Sequence, residues 1–248
     1  LSQQRVALQQ SREYATALRM LGCDVQVATI CDDGTPIARA QFILANRPVL
    51  RRIPLMSRGP VWLAENLSPV VKYAAIAALN GAMKSTAHLV NAATPIDDQV
   101  LQSNGYARIM PPQTVALLDL AGSADKRSAA QNGKWRNRLR SALKADLDIT
   151  QNAFSPARDQ WLLSAETAQR RTRRYQALPQ AFSLAFSRSN PNKARLFLAL
   201  HRGAPIAAML FLLHGATASY HIGWTGPDGR RKNAHTLLLW TASNWHAD

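Results

Sequence analysis

The sequence predicts a mixed α/β protein (α+β class) of two domains, each a mainly antiparallel sheet flanked by helices. Three observations carry this. The order helix, antiparallel strands, a strand ending in a turn, then a helix occurs twice along the 248 residues. Tight turns at Asp32-Asp33-Gly34 and His201-Arg202-Gly203-Ala204 join consecutive apolar runs into hairpins. A small, polar stretch at 121–133 (AGSADKRSAAQNG) divides the two copies of the pattern and reads as a linker. Domains are therefore expected at 1–122 and 123–248, each of ordinary single-domain size.

In the first domain, Val6, Leu8, Tyr14, Ala17, Leu18 and Leu21 recur at helical spacing up to Gly22, a helix with a glycine stop. Cys23 to Ile30 alternates apolar and polar as a half-buried strand, and Pro36 to Leu44 is its return. An extended stretch from Val49 to Met56 leads into Ser57-Arg58-Gly59-Pro60-Val61-Trp62. Ser68 or Pro69 opens a helix to Met83, and His88 to Ala93 is a further strand. Asp97 to Asn104 is a short helix, and Tyr106 to Leu120 is a strand broken by Pro111-Pro112.

In the second domain, Lys134 to Lys144 (KWRNRLRSALK) is a helix with Trp135, Leu139, Ala142 and Leu143 on one face. Leu147 to Asn152 is a short strand. Trp161 to Leu178 is a long helix stopped by Pro179, and Arg170-Arg171-Thr172-Arg173-Arg174 makes its end strongly basic. The hairpin of Ala194 to Leu200 and Pro205 to His214 follows. Its second strand is apolar throughout, as a strand covered on both faces must be. Gly215-Ala216-Thr217 turns the chain into Ala218 to Trp224. After a glycine-rich basic turn, Leu237 to Trp245 is an amphipathic helix. Leu1 begins inside a helical pattern and no closing strand follows the last helix, so each domain is expected to lack a terminal part.

The formal charge is +15. It is concentrated after residue 124, where the count is +12 against +3 before. Such a field favours an anionic partner: nucleic acid, a phosphorylated small molecule or anionic lipid. With 47% hydrophobic residues the chain can bury a core and is not disordered. Cys23 and Cys31 have no metal-ligand spacing and read as buried thiols of a reducing compartment. No apolar run approaches the roughly 20 residues of a membrane span, so the expectation is a cytoplasmic protein without a metal.

The turn after Trp224 is where the chemistry concentrates. A strand that ends in a glycine-bearing basic loop and opens a helix presents unpaired backbone N–H groups at the positive end of a helix dipole. Arg230, Arg231 and Lys232 add full charges, and together these form a site for phosphate or another anion. The glycines Gly223, Gly226 and Gly229 match neither a dinucleotide fingerprint nor a Walker loop, and an ordinary solvated turn accounts for the same residues equally well.

Three segments, taken in order, resemble FemABX-type transferases. Asn132-Gly133-Lys134-Trp135-Arg136-Asn137-Arg138-Leu139-Arg140-Ser141 resembles the basic stretch opening their second domain. Ser57-Arg58-Gly59-Pro60-Val61-Trp62 resembles an R-G-P strand end of their first domain. His214 to Trp240, with a tyrosine-bearing strand, a basic turn and an L-L-x-W helix, resembles their second-domain core. The resemblance implies two tandem GNAT-like (N-acetyltransferase) domains and an acyltransferase. Its donor would be aminoacyl-tRNA, as in the best-known members, or acyl-CoA, as in GNAT enzymes generally, with no permanently bound cofactor. The acceptor would be an amine on a peptide or cell-wall precursor. GNAT enzymes hold a pyrophosphate with a Gln/Arg-x-x-Gly-x-Gly/Ala turn. The nearest match is Arg231 to Thr236, where Ala234 and Thr236 replace both glycines, and no long coiled-coil insertion is present.

This chemistry is direct attack by an amine on an ester or thioester, which needs a proton path and donors for the oxyanion. Backbone N–H groups around Ile222 to Trp224 are the expected donors. The catalytic candidates are Lys232, His221, Tyr220 and Asp228, the histidine chosen for its ordinary near-neutral pKa. A strand tyrosine or histidine serves packing as readily. The donor or phosphate site implied by the resemblance comprises Trp224, Gly229, Arg230, Arg231, Asn233, Ala234 and His235. Arg58 and Trp62 are candidates for the acceptor rim, although Trp62 taken alone reads as core packing before it reads as a rim residue. Lys134, Arg136, Arg138 and Arg140 are either a solvated helix face or a contact for RNA or a phosphate-bearing acceptor. Two rivals stand beside the tRNA-dependent reading: a conventional acyl-CoA N-acyltransferase, and a non-catalytic RNA-binding protein that uses only the basic second half.

Overall fold

The computed structural model describes residues 5–45, 53–64, 66–83, 85, 87–111 and 114–247. The chain divides into two units, Leu1–Thr114 with His214–Thr217, and Val115–Leu213 with Ala218–Asp248. Each contains one sheet and its own helices.

In the first unit, a 3-10 turn precedes α1 (Arg12–Met20), where the Ser11 hydroxyl caps the Tyr14 N–H at 3.1 Å. Strands β1 (Asp24–Asp32) and β2 (Thr35–Ala45) pair antiparallel around Asp33 and Gly34, both at positive φ. β3 (Ile53–Ser57) pairs with β2, and β4 (Val61–Trp62) also adds to β2. Helix α2 (Pro69–Ala82) then crosses to β5 (Leu89–Asn91), which lies parallel to β3, and α3 (Pro95–Ser103) follows. Phe42, Met56, Ile76, Leu79, Val100 and Leu101 form the core between this mixed sheet and its two helices.

In the second unit, α4 (Ala124–Ala129) and α5 (Gly133–Leu143) lead to β6 (Asp148–Ala153), α6 (Pro156–Arg173) and α7 (Gln180–Ser189). β7 (Ala194–His201), β8 (Ala204–His214) and β9 (Thr217–Thr225) complete a sheet in sequence order β6-β7-β8-β9. The short α8 (Pro227–Arg231) and then α9 (Ala234–Ala247) close the chain. β8 is buried along nearly its whole length, as its uninterrupted apolar run requires. Ala234, Leu238 and Ala242 of α9 pack on Phe197, Ala207, Met209 and Phe211 of the sheet, and Trp135 of α5 meets Trp240 edge-on with ring centroids 6.1 Å apart.

Five expectations are corrected. The stretch 121–133 is not an open linker but carries α4, whose N-terminus is capped by Ser123 at the Lys126 N–H. No strand forms among the described residues of 106–120; Ile109, Met110, Val115, Leu117 and Leu118 are exposed there rather than paired into a sheet. Helix α7 is additional: Pro179 ends one helix and serves as N-cap of the next, so what reads as a terminator is a corner. Leu143 is exposed, because the last turn of α5 projects past the α9 contact made by Leu139 and Ala142. Neither thiol is buried: Cys31 sits exposed near the β1–β2 turn and Cys23 is half-buried. The expected extended stretch from Val49 lies outside the described residues before Ile53.

Candidate active site

The second unit holds a cavity of about 620 Å³ at the free edge of β9, bounded by α6, the Arg138 turn of α5, α8 and the start of α9. Among the described residues β9 is the last strand of its sheet, so one row of its backbone groups faces no partner strand there. The Gly223 carbonyl on this edge accepts from Gln169 Nε2 at 3.0 Å. Strand geometry directs the N–H of the same residue out along the same edge, toward the cavity that Gly223 lines.

Helical spacing supplies one wall. Glu166, Gln169 and Arg173 follow one another at three and four residues on α6 and share a stripe facing the cavity. Gln169 Nε2 also donates to the Tyr175 hydroxyl at 3.2 Å, and that hydroxyl donates to Glu166 Oε1 at 3.3 Å. The Glu166 carboxylate is buried and has the Arg170 guanidinium 3.9 Å away. A buried carboxylate needs such partners, and the hydroxyl and the guanidinium supply them.

Tyr220 and His235 form the opposite wall. The Tyr220 hydroxyl is 3.0 Å from His235 Nε2, and Thr225 Oγ1 is 2.7 Å from Nδ1 of the same ring. Burial, and secondarily the nearby Tyr175, push the Tyr220 phenol up to about 12, so it keeps its proton at neutral pH. Its exposed half looks into the cavity it lines. Burial, and then the Arg173 charge, lower the His235 pKa. A neutral imidazole donates at one nitrogen and accepts at the other, so Tyr220, His235 and Thr225 form a continuous hydrogen-bonded chain.

Two glycines shape the floor by close approach. A Cβ on Gly223 would overlap the Tyr220 hydroxyl and approach His235 Cε1 to 3.0 Å. A Cβ on Gly229 would overlap the Ile206 carbonyl of β8, which is what allows α8 to sit directly on the sheet. Asn233, at φ +53°, turns the chain from α8 into α9. Its carbonyl accepts from the Thr236 and Leu237 N–H groups, leaving the Ala234 and His235 amides without an acceptor inside the helix. The cavity thus has the α9 N-terminus at one end and three guanidiniums, Arg138, Arg173 and Arg230, around it, against the single carboxylate of Glu166.

The sequence-predicted residues separate into three groups. Tyr220, His221, Gly229, Arg230, Asn233, His235 and Arg138 all line this cavity. Lys232, Asp228, Arg231, Trp224 and Ala234 do not. Asp228 is ion-paired with Arg231 on the outer side of α8, Lys232 caps that helix, Trp224 packs edge-on against Trp161 at 5.3 Å, and Ala234 is fully buried in the core. Lys134 and Arg140 are exposed on α5 and Arg136 bonds the Ala129 carbonyl, so of that basic face only Arg138 turns into the cavity. Arg58 and Trp62 belong to the first unit. Trp62 donates its indole N–H to Asp97 at 2.8 Å, with Lys72 over its ring, while Arg58 takes a left-handed backbone and bonds the Asn91 carbonyl through its N–H. His221 departs from its expected near-neutral pKa, since burial lowers it to about 4. Glu166, Gln169, Tyr175 and Thr225 are additions, and Arg173 belongs to the basic run Arg170 to Arg174. The stripe Glu166-Gln169-Arg173 is the sequence signal that could have found the first two.

The fold is that of a two-unit α/β protein with a sheet and flanking helices in each unit, and solved structures share that fold. FemX superposes with a TM-score of 0.77 at 12% identity, over 99% of this chain and 82% of its own. The C-terminal domain of a protein from Agrobacterium fabrum, described as a lysylphosphatidylglycerol synthetase, gives a TM-score of 0.57 at 15% identity over 97% and 72% of the two chains. L-PGS from Bacillus licheniformis gives 0.51 at 14% over 98% and 74%. The likeness to FemABX-type proteins read from the three sequence segments therefore holds at the level of the fold. No family model and no curated protein sequence matches the chain. Among the described residues no helix is long and apolar enough to cross a membrane.

Proposed function

We propose that this protein transfers an aminoacyl or acyl group from an activated ester to an amine, with the donor bound in the cavity beside β9. The observation that carries this reading is the composition of that one cavity. Three guanidiniums and a helix N-terminus suit the phosphates of an anionic donor, and beside them lie uncharged hydrogen-bonding groups suited to an acyl transfer. The fold shared with FemX and with synthetases that, by name, join lysine to phosphatidylglycerol supports aminoacyl transfer. In this reading the two units are tandem GNAT-like domains, the second holding the donor.

The amine attacks the ester carbonyl and a carbon–nitrogen bond forms while negative charge develops on the carbonyl oxygen. The outward N–H of Gly223 is the backbone donor for that oxygen. As the carbon–oxygen bond breaks, Tyr220 gives its proton to the departing oxygen, and the proton shed by the attacking amine replaces it. His235 and Thr225 hold the phenol in position for this exchange. Replacement of both pyrophosphate-turn glycines by Ala234 and Thr236, with Ala234 closed in the core, favours aminoacyl-tRNA over acyl-CoA as donor. Lys134 and Arg140, exposed on the same helix as Arg138, extend the cationic surface for an RNA backbone. The acceptor is an amine on a peptide or cell-wall precursor.

The test is one preparation offered charged tRNA, uncharged tRNA and a panel of acyl-CoAs, each at two salt concentrations, with transfer to amine-bearing peptides followed by mass. Transfer from charged tRNA is the expected result. Saturable acyl-CoA binding with thiol release would move the donor assignment to CoA. RNA binding indifferent to charging, without transfer from either donor, would overturn the enzymatic reading.

A further inference from the structure

His221 sits on β9, two residues before Gly223, and lines the same cavity. Its Nε2 is 2.8 Å from the Oγ of Ser183, on α7. Ser183 is 2% exposed and so closed to bulk water, and the imidazole is its hydrogen-bond partner among the described residues. A buried hydroxyl left without an acceptor is costly. The Ser183 O–H must therefore donate to Nε2, and Nε2 must be the unprotonated nitrogen. That assigns the ring proton to Nδ1. Phe182, the neighbour of Ser183 on α7, packs edge-on against the imidazole at 5.8 Å and holds its plane. Nδ1 has no protein acceptor among the described residues and is not one of the buried unpartnered atoms, so it keeps some exposure on a residue that lines the cavity.

We infer that Ser183 locks His221 as the Nδ1–H tautomer, and that this uncharged N–H is a second donor, beside the Gly223 amide, to the carbonyl oxygen of the acyl group being transferred. The inference rests on the proposed acyl transfer for the identity of the oxygen, though not for the tautomer. Burial, which lowers the His221 pKa to about 4, keeps the ring uncharged through the neutral range. A neutral donor of this kind strengthens its hydrogen bond as charge grows on the oxygen, without drawing in the phosphates that the three arginines attract. No proton leaves the ring during the step. The carbon–nitrogen bond forms, the oxyanion is held, the carbon–oxygen bond breaks, and Tyr220 passes its proton to the leaving oxygen while taking up the one shed by the amine. His221 is then a catalytic residue and Ser183 a positioning residue that acts through it.

The experiment pairs nitrogen-15 histidine NMR with kinetics on the full chain. Wild-type protein should show a proton on Nδ1 of His221 from pH 5.5 to 8, and Ser183→Ala should give a mixture of tautomers. In transfer assays, His221→Phe should lower kcat about a hundredfold with the donor KM within threefold of wild type. His221→Asn, whose amide N–H reaches the place of Nδ1, should recover at least tenfold of that loss. His221→Gln, which mimics Nε2, should not. A wild-type proton on Nε2 would overturn the lock. Full kcat in His221→Phe, or equal rescue by Asn and Gln, would overturn the donor role. A wild-type chain inactive with every donor would sink the transferase reading and the carbonyl assignment together, while the NMR result would still decide the tautomer.

Discussion

The hydroxyl of Tyr220 occupies the space where a side chain on Gly223 would begin. The phenol lies across the strand backbone three residues on, and its hydrogen bond to His235 depends on that passage being open. A methyl at residue 223 must displace the ring. Gly223→Ala is expected to lower transfer at least tenfold, because a displaced phenol no longer reaches the leaving oxygen. Stability should fall by less than about 2 kcal/mol, since Tyr220 is half exposed. Paired kinetics and thermal melts check both, and unchanged kcat would remove Tyr220 from the mechanism.

Arg173 acts on its surroundings through charge, and Arg173→Gln isolates that effect. The variant should raise the His235 pKa, because one of the two causes that lower it is gone. The value should stay below the ordinary 6.5, because burial is the larger cause and remains. The same change should weaken donor binding and make it less steeply salt-dependent. A histidine NMR titration and donor KM at two ionic strengths measure the two consequences.

Acid should destabilise the second unit in a defined window. His221 and His246 are both lowered to about 4 by burial, His246 also by Arg195. The unfolded chain binds these protons near pH 6.5 and the folded one does not, so stability is complete above about 6.5 and is lost as pH falls toward 4. His221 accounts for on the order of 3 kcal/mol across that range, and His246, being more open to solvent, for less. Denaturant melts from pH 7.5 to 4.5 should show this slope, and His246→Phe should flatten it.

In the first unit, Asp97 carries a burden disproportionate to its size. Its carboxylate is 3% exposed and accepts from the Trp62 indole and the Thr94 hydroxyl at 2.8 and 2.7 Å, with Lys72 at 3.8 Å. Asp97→Ala leaves the indole N–H and the hydroxyl without their acceptor and should cost about 3 kcal/mol, read as a lowered Tm. By contrast, Gly81→Ala adds a methyl in α2 with no atom within 4 Å and should stabilise by about 0.5–1 kcal/mol.

The parts of this molecule legible in sequence are those set by local rules. The hairpins at Asp33-Gly34 and Arg202-Gly203 follow from turn chemistry, and the doubly covered β8 follows from its continuous apolar run. The misreadings have equally local causes. Pro179 looks like a terminator although it opens α7, and the described apolar residues of 106–120 mimic a strand without pairing as one. The cavity was only half legible. Tyr220, Arg230 and His235 stand close together in sequence, whereas Glu166 and Gln169 reach it from a helix about 50 residues earlier; their spacing marks a shared helix face but not the strand that face meets. The pairing of Ser183 with His221 was invisible for the same reason, since the helix that carries it was not foreseen.

The run Gly223-x-x-Gly226-x-x-Gly229 looks like one motif of three equivalent glycines, yet the three positions differ in what they tolerate. Gly223 is closed by Tyr220 and Gly229 by the Ile206 carbonyl, while a methyl on Gly226 would rest at ordinary contact distance, 3.5 Å from Trp224 and 3.6 Å from Ile206. Were this segment randomised and active clones sequenced, glycine would persist at the outer two sites and alanine would appear freely at the middle one. An apparent periodic signature would then resolve into two unrelated steric demands, one made by the reacting groups and one by the seating of a helix.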